Sequence, residues 1–264
     1  MGENAQAYKD EVAALRLGID LGMTLIDTAE MYGEGGAEKV VADAIAGQRE
    51  RVFVVTKVYP HNASRTKLPK ACDRSLKRLR IETIDLYLLH WRGEVPLAET
   101  VEAFKKLRSA EKIKRWGVSN FDVDDMKELL SIDNGGNCAT NQVLYNLENR
   151  EIEFDLLPLL QTSNLKHQTS PIPIMAYSPV GHGRVLLNNA TLRKIASRHN
   201  ATSAQIALAW VLRKPVVIAI PKASSQAHVR ANAQSAEIEL TSEDLAELDR
   251  EFPSPRSKQP LPTL

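Results

Sequence analysis

The sequence predicts an α/β fold of the (β/α)8 TIM-barrel type, with the first strand of the barrel missing from the chain as it stands. Three observations lead there. Seven short apolar runs recur, at 24–29, 52–58, 85–91, 115–120, 138–145, 172–179 and 216–222. Continuous apolar runs are the signature of parallel strands covered by helices on both faces. Between them lie segments with helical spacing, and regular strand–helix alternation implies a parallel sheet with right-handed crossovers. The length of 264 residues is also near that of one such barrel.

The elements follow in order. A helix over 6–21 carries Val12, Leu15 and Ile19 on one face, and the run at 24–29 follows it. Val40, Val41, Ala44 and Ile45 form a stripe that stops at Gly47, a residue suited to the left-handed position past a helix end. Ser64 is placed to cap a helix bearing Leu68, Ala71, Cys72, Leu76 and Leu79. Pro96 opens a helix through Val101, Phe104 and Leu107, and Asp122 caps one with Met126, Leu129 and Leu130 inward. The polar stretch 162–170 reads as a loop. Ser203 begins a helix with Ile206, Ala209 and Trp210, and Thr241 with Asp244 forms a capping box for a last helix through Leu248. From Pro253 the chain holds four prolines and reads as an extended C-terminal tail, 253–264, on a single domain spanning 1–264. A closed barrel needs eight strands, and the absent one belongs ahead of the first helix. A shortened or mis-assigned start is expected rather than an open architecture.

Composition narrows the function. Lys+Arg 34 against Asp+Glu 33 gives a net charge of +1, so neither nucleic acid nor an anionic membrane is an expected partner. Cys72 and Cys138 are the two cysteines and neither has a CxxC neighbour, so no metal site is expected and a reducing, cytoplasmic setting is. No apolar stretch approaches membrane-spanning length, and the polar first residues do not form a signal peptide.

The ends of the runs carry the chemistry. Asp27 and Tyr32 follow the first, Lys57 ends the second and His90 the third. In parallel barrels the active site forms at the C-terminal ends of the strands. A lysine inside an apolar strand demands a partner. A lysine ammonium beside a tyrosine favours the phenolate, an aspartate can hold that lysine in place, and a histidine can orient a carbonyl oxygen.

With these residues in IDTAEMYG, VVTKVYP and DLYLLHW, the chain closely resembles the aldo-keto reductases, and the likeness continues through WGVSN, TNQVLYN, MAYSP and IPKAS. Details such as LIDTAEMYG and CATNQVLYN look most like the bacterial branch that includes methylglyoxal reductases. The resemblance implies a barrel enzyme with Asp27, Tyr32, Lys57 and His90 as its catalytic set and Tyr32 as proton donor. It implies that Ser119, Asn120 and Gln142 hold a nicotinamide carboxamide, and that Tyr177 stacks on the ring. Ser178 and the 181–183 loop then lie near the pyrophosphate, and Lys222 and Ser224 bind a ribose phosphate. NADPH is the implied cofactor, with NADH as second candidate, because His228 stands where many members have an arginine six residues after this lysine. Trp91 is expected to line the substrate pocket. The implied activity is reduction of aldehydes or small dicarbonyls, methylglyoxal-like, by a monomer whose partner is a small-molecule carbonyl. Two other readings are a cofactor-binding regulatory subunit with little turnover and an aldolase using Lys57 as a Schiff base.

Overall fold

The computed structural model describes residues 1–2, 7–161, 171–182 and 185–264. Seven parallel strands form one sheet in the order β1 (Leu25–Asp27), β2 (Phe53–Val58), β3 (Ile84–Leu89), β4 (Ile113–Ser119), β5 (Asn141–Leu144), β6 (Ile174–Tyr177) and β7 (Val217–Ile220). The sheet curls into a nearly closed barrel. Among the described residues no ladder joins β7 to β1. The helical layer does close there: α1 (Tyr8–Asp20) packs against both α2 (Gly36–Ile45) and α9 (Gln226–Gln234).

The remaining helices are α3 (Lys67–Leu79), α4 (Leu97–Ser109), α5 (Val123–Ser131), α6 (Leu156–Gln161), α7 (Ala190–Arg198), α8 (Ser203–Leu212) and α10 (Ser242–Glu251). Most start where the sequence signals them. Asp122 and Thr241 each make a reciprocal capping box, and so does Thr202, one residue before the expected start at Ser203. The Ser64 hydroxyl accepts from the Lys67 amide at 3.3 Å although the regular helix begins only at Lys67. Pro96 stands at the cap of α4 rather than inside it. Helix α7, capped by Asn189 and burying Leu192, Ile195 and Ala196, is an element the sequence reading did not name. The expected loop at 162–170 and the start of the first helix at residue 6 lie outside the described residues. Residues 253–264 hold no helix or strand, and Lys258 pairs with Asp124 of α5 at 3.1 Å.

Strand register sorts the side chains. Val54, Tyr87 and Trp116 are buried under the helices, where Trp116 stacks on Phe104 of α4 with centroids 5.3 Å apart. Val55, Leu86, Leu88 and Met175 fill the barrel interior. Lys57 is in register with Leu88, and Leu88 with Gly117, so these three share one inward layer. A Cβ at Gly117 would lie 2.6 Å from the Thr140 carbonyl and 2.9 Å from Leu88 Cδ2, so the layer closes only around a glycine.

Asp122 accepts from both the Asp124 and Asp125 amides at 2.9 Å. Asp122→Ala should therefore lower stability by about 1 kcal/mol. The reading is a lower urea midpoint at unchanged slope. An unchanged midpoint would show that the cap contributes nothing.

Candidate active site

Strand β1 ends at Asp27, and the chain then bends sharply. Gly33, Glu34 and Gly35 have φ of 55°, 52° and 85° in succession. Glycine at two of these three left-handed positions keeps the strain low. Just ahead of the bend the Tyr32 amide donates to the Ala29 carbonyl at 3.2 Å, and the Tyr32 ring centroid lies 4.8 Å from Lys57 Nζ.

Lys57 comes up from β2 to meet it. Its ammonium is fully buried, and a lysine has three donors to satisfy. Nζ donates to Asp27 Oδ2 at 2.6 Å, to the Thr28 carbonyl at 2.9 Å and to the Tyr32 hydroxyl at 3.3 Å. All three donors are used, and all three acceptors come from the stretch 27–32. Burial works against the charge, but the Asp27 carboxylate and the Tyr32 hydroxyl outweigh it and hold the ammonium above the usual lysine value. A lysine so held is protonated and is a poor amine nucleophile.

His90 follows β3 and its ring meets the Tyr32 ring edge-on, with centroids 5.7 Å apart. Burial, aided by the Lys57 charge, pushes its imidazole down to about 3. The ring is thus neutral near pH 7 and offers one N–H and one lone pair. Its Nδ1 is buried without a hydrogen bond, as is the Thr28 hydroxyl. Unpartnered buried polar atoms are costly, and His90 therefore has hydrogen-bonding capacity that the folded chain leaves unused.

The next strand ends extend the site. The Ser119 hydroxyl donates to the Gln142 carbonyl at 2.8 Å. Asn120 Nδ2 donates to the His90 carbonyl at 3.2 Å and to Ser119 Oγ at 3.3 Å. The Tyr177 hydroxyl donates to Asn120 Oδ1 at 2.9 Å. Asn120 and Ser178 adopt left-handed φ of 58° and 47°, conformations that for a serine persist only where surroundings enforce them. Burial pushes the Tyr177 phenol up to about 12, against a backbone hydrogen bond from Leu264, so the tail reaches the site.

Ser119, Asn120, Gln142, Tyr177 and Ser178 therefore form one rim beside the Asp27–Tyr32–Lys57–His90 group. Lys222 and Ser224 stand apart from it, exposed after β7 and just ahead of the N-terminus of α9. Trp91 is 37% exposed, with its ring 4.9 Å from that of His90.

Two features escaped the sequence reading. Gln142 Nε2 donates to Asp27 Oδ1 at 2.8 Å, so the rim is bonded directly to the lysine's counter-ion. Tyr59 meets Trp91 edge-on with centroids 5.9 Å apart. Its position two residues after Lys57, on the same side of the strand line, was the available signal. One reading needs correction. A histidine at the C-terminal end of a helix reads as solvated from sequence, but His199 sits 2.7 Å from Asp244 across the α7–α10 contact.

The buried neutral His90 has a consequence for stability. Its folded value lies below its unfolded one, so the unfolded chain binds the extra proton first. Stability should fall as pH drops below about 6.5, at roughly 1.4 kcal/mol per pH unit for this one group. Between pH 6.5 and 5, wild type should lose urea resistance that His90→Gln keeps. Parallel losses in both proteins would contradict the burial of a neutral ring.

The Aldo/keto reductase family model matches residues 1–251. The chain is 53% identical to methylglyoxal reductase YeaE of Escherichia coli K12, over 99% of this chain and 91% of that protein. It is 33% identical to the glyoxal reductase of Bacillus subtilis 168, over 94% and 84% respectively. A solved aldo/keto reductase from Klebsiella pneumoniae, in complex with NADP and acetate, superposes with a TM-score of 0.96 at 50% identity, covering 100% of this chain and 92% of that one. A match of this extent is shared by a chain whose own folding draws four distant side chains to one point, and the protein belongs to the aldo/keto reductase family.

Proposed function

We propose that the protein is an NADPH-dependent carbonyl reductase acting on aldehydes and small dicarbonyls, with Tyr32 as its proton donor. One observation carries this reading: the Lys57 ammonium bridges the Asp27 carboxylate and the Tyr32 hydroxyl inside the barrel. The solved relative with NADP and the methylglyoxal and glyoxal reductases support the cofactor and the substrate class.

The residues present fit a nicotinamide cofactor. The rim of Ser119, Asn120 and Gln142 presents amide and hydroxyl groups beside the half-buried Tyr177 ring. The exposed Lys222 ammonium and Ser224 hydroxyl adjoin the N-terminus of α9, an arrangement suited to a phosphate. When bound, the reduced nicotinamide supplies the hydride that no side chain can.

The chain's own residues manage the proton. Neutral His90 can donate its N–H to the substrate carbonyl oxygen and fix its direction. Tyr32 delivers a proton to that oxygen as negative charge grows there. The Lys57 hydrogen bond then stabilises the charge left on the phenol oxygen. Asp27 keeps Lys57 charged and placed, and Gln142 keeps Asp27 placed. The same protonated state of Lys57 argues against a Schiff-base role.

Wild type should consume NADPH with methylglyoxal and with aromatic aldehydes. Tyr32→Phe should lose about two to four orders of magnitude in kcat, the usual worth of a general acid, while retaining cofactor affinity. A Tyr32→Phe protein with normal turnover would overturn the assignment. Tight cofactor binding by wild type without turnover of any carbonyl would favour a regulatory subunit instead.

A further inference from the structure

Glu30 lies between Asp27 and Tyr32 in sequence and is buried at 7% exposure. Its amide donates to the Lys57 carbonyl at 3.2 Å. Its Oε1 accepts from the Tyr59 amide at 2.9 Å and from Asn62 Nδ2 at 3.1 Å. Its Oε2 faces the guanidinium groups of Arg74 and Arg78 on α3, at 3.7 and 4.0 Å. One carboxylate therefore joins the loop carrying Asp27 and Tyr32 to the turn after β2.

Each end of this link also has contacts of its own. The turn closes on itself, with the Asn62 amide donating to the Tyr59 carbonyl at 2.9 Å. Arg78 already has Glu38 as an ion-pair partner. What Glu30 adds is the placement of the turn against the reacting loop. The side chain so placed is Tyr59. Its ring stacks on His61 at 4.9 Å and 25° and meets Trp91 edge-on at 5.9 Å and 90°. Trp91 in turn lies 4.9 Å from His90. The result is an aromatic wall leading outward from the reacting group.

We propose that Glu30 is a positioning residue that sets which carbonyls the site prefers, by holding Tyr59 against Trp91 before substrate arrives. The proposal rests on the reductase reading. A wall fixed in advance favours a substrate with an aromatic or long apolar body, because ordering a side chain at binding costs affinity. A short dicarbonyl has nothing to lay against it.

The test is a cycle of Glu30→Ala, Tyr59→Ala and the double variant, assayed with benzaldehyde and with methylglyoxal. Glu30→Ala should raise the KM for benzaldehyde relative to methylglyoxal by about three- to tenfold, the value of one ordered side chain, without a matching fall in kcat. Tyr59→Ala should give the same shift, and the double variant should add nothing to it. Glu30→Gln keeps an acceptor for the Tyr59 amide and should recover most of the loss; Glu30→Met, of similar volume but with no acceptor for that amide, replaces Glu30→Ala in the cycle should the latter fail to fold.

A second reading is independent of turnover. Of the three tryptophans, Trp116 and Trp210 are buried and Trp91 is 37% exposed, so acrylamide quenching reports on Trp91. Quenching should rise in Glu30→Ala. A wild type that reduces no carbonyl would count against the reductase reading, while quenching would still judge Glu30. An unchanged KM ratio in an active, folded variant, additive effects in the double variant, or unchanged quenching would each overturn the role of Glu30.

Discussion

Burying a lysine ammonium inside an apolar barrel is the constraint on which the rest of the structure depends. A lone buried charge would cost many kcal/mol, and proteins tolerate one only when it is paired and fully hydrogen-bonded. Here the three donors of Lys57 end on three acceptors from six consecutive residues. That economy explains why β1 is short. A longer strand would carry Tyr32 past the ammonium. The arrangement also explains the state of His90, since burial and a fixed positive charge nearby keep its ring neutral.

The hydrogen bond from Gln142 to Asp27 spans 115 residues of sequence. It joins the proton-handling group to the rim formed by β4, β5 and β6. Asn120 extends the same network, touching the His90 carbonyl, Ser119 and Tyr177. The rim and the Lys57 group are thus connected by direct hydrogen bonds through Asp27. On the proposed reading, cofactor and proton donor are held by one connected set of bonds, which is how a site keeps tight geometry on strand ends rather than on mobile loops.

Much of this was legible in the sequence, because the signals were local. Each strand lies in or overlaps a mainly apolar run, and each capping box sits within four residues, as at Thr241 and Asp244. Lys57 announced itself as a charge in an apolar strand, and the strand-end rule linked it to Asp27, Tyr32 and His90. The contacts that were not legible join distant segments. Nothing near Gln142 points to Asp27, and nothing near Glu30 points to Tyr59 or Arg74. The approach of Leu264 to Tyr177 and the pairing of His199 with Asp244 are products of packing, which neither periodicity nor motif encodes. Helix α7 is the opposite case: its local signal is present, with Asn189 as cap and Leu192, Ile195 and Ala196 on one buried face, and the sequence reading passed over it.

The central claim is that the buried Lys57 ammonium acts on the Tyr32 oxygen, beyond filling space. Single-turnover hydride transfer in Lys57→Met, followed by loss of reduced-cofactor absorbance from the preformed complex, tests it most directly. The account predicts a rate lowered by about two orders of magnitude or more with cofactor affinity retained. A Lys57→Met protein that transfers hydride at the wild-type rate would contradict it.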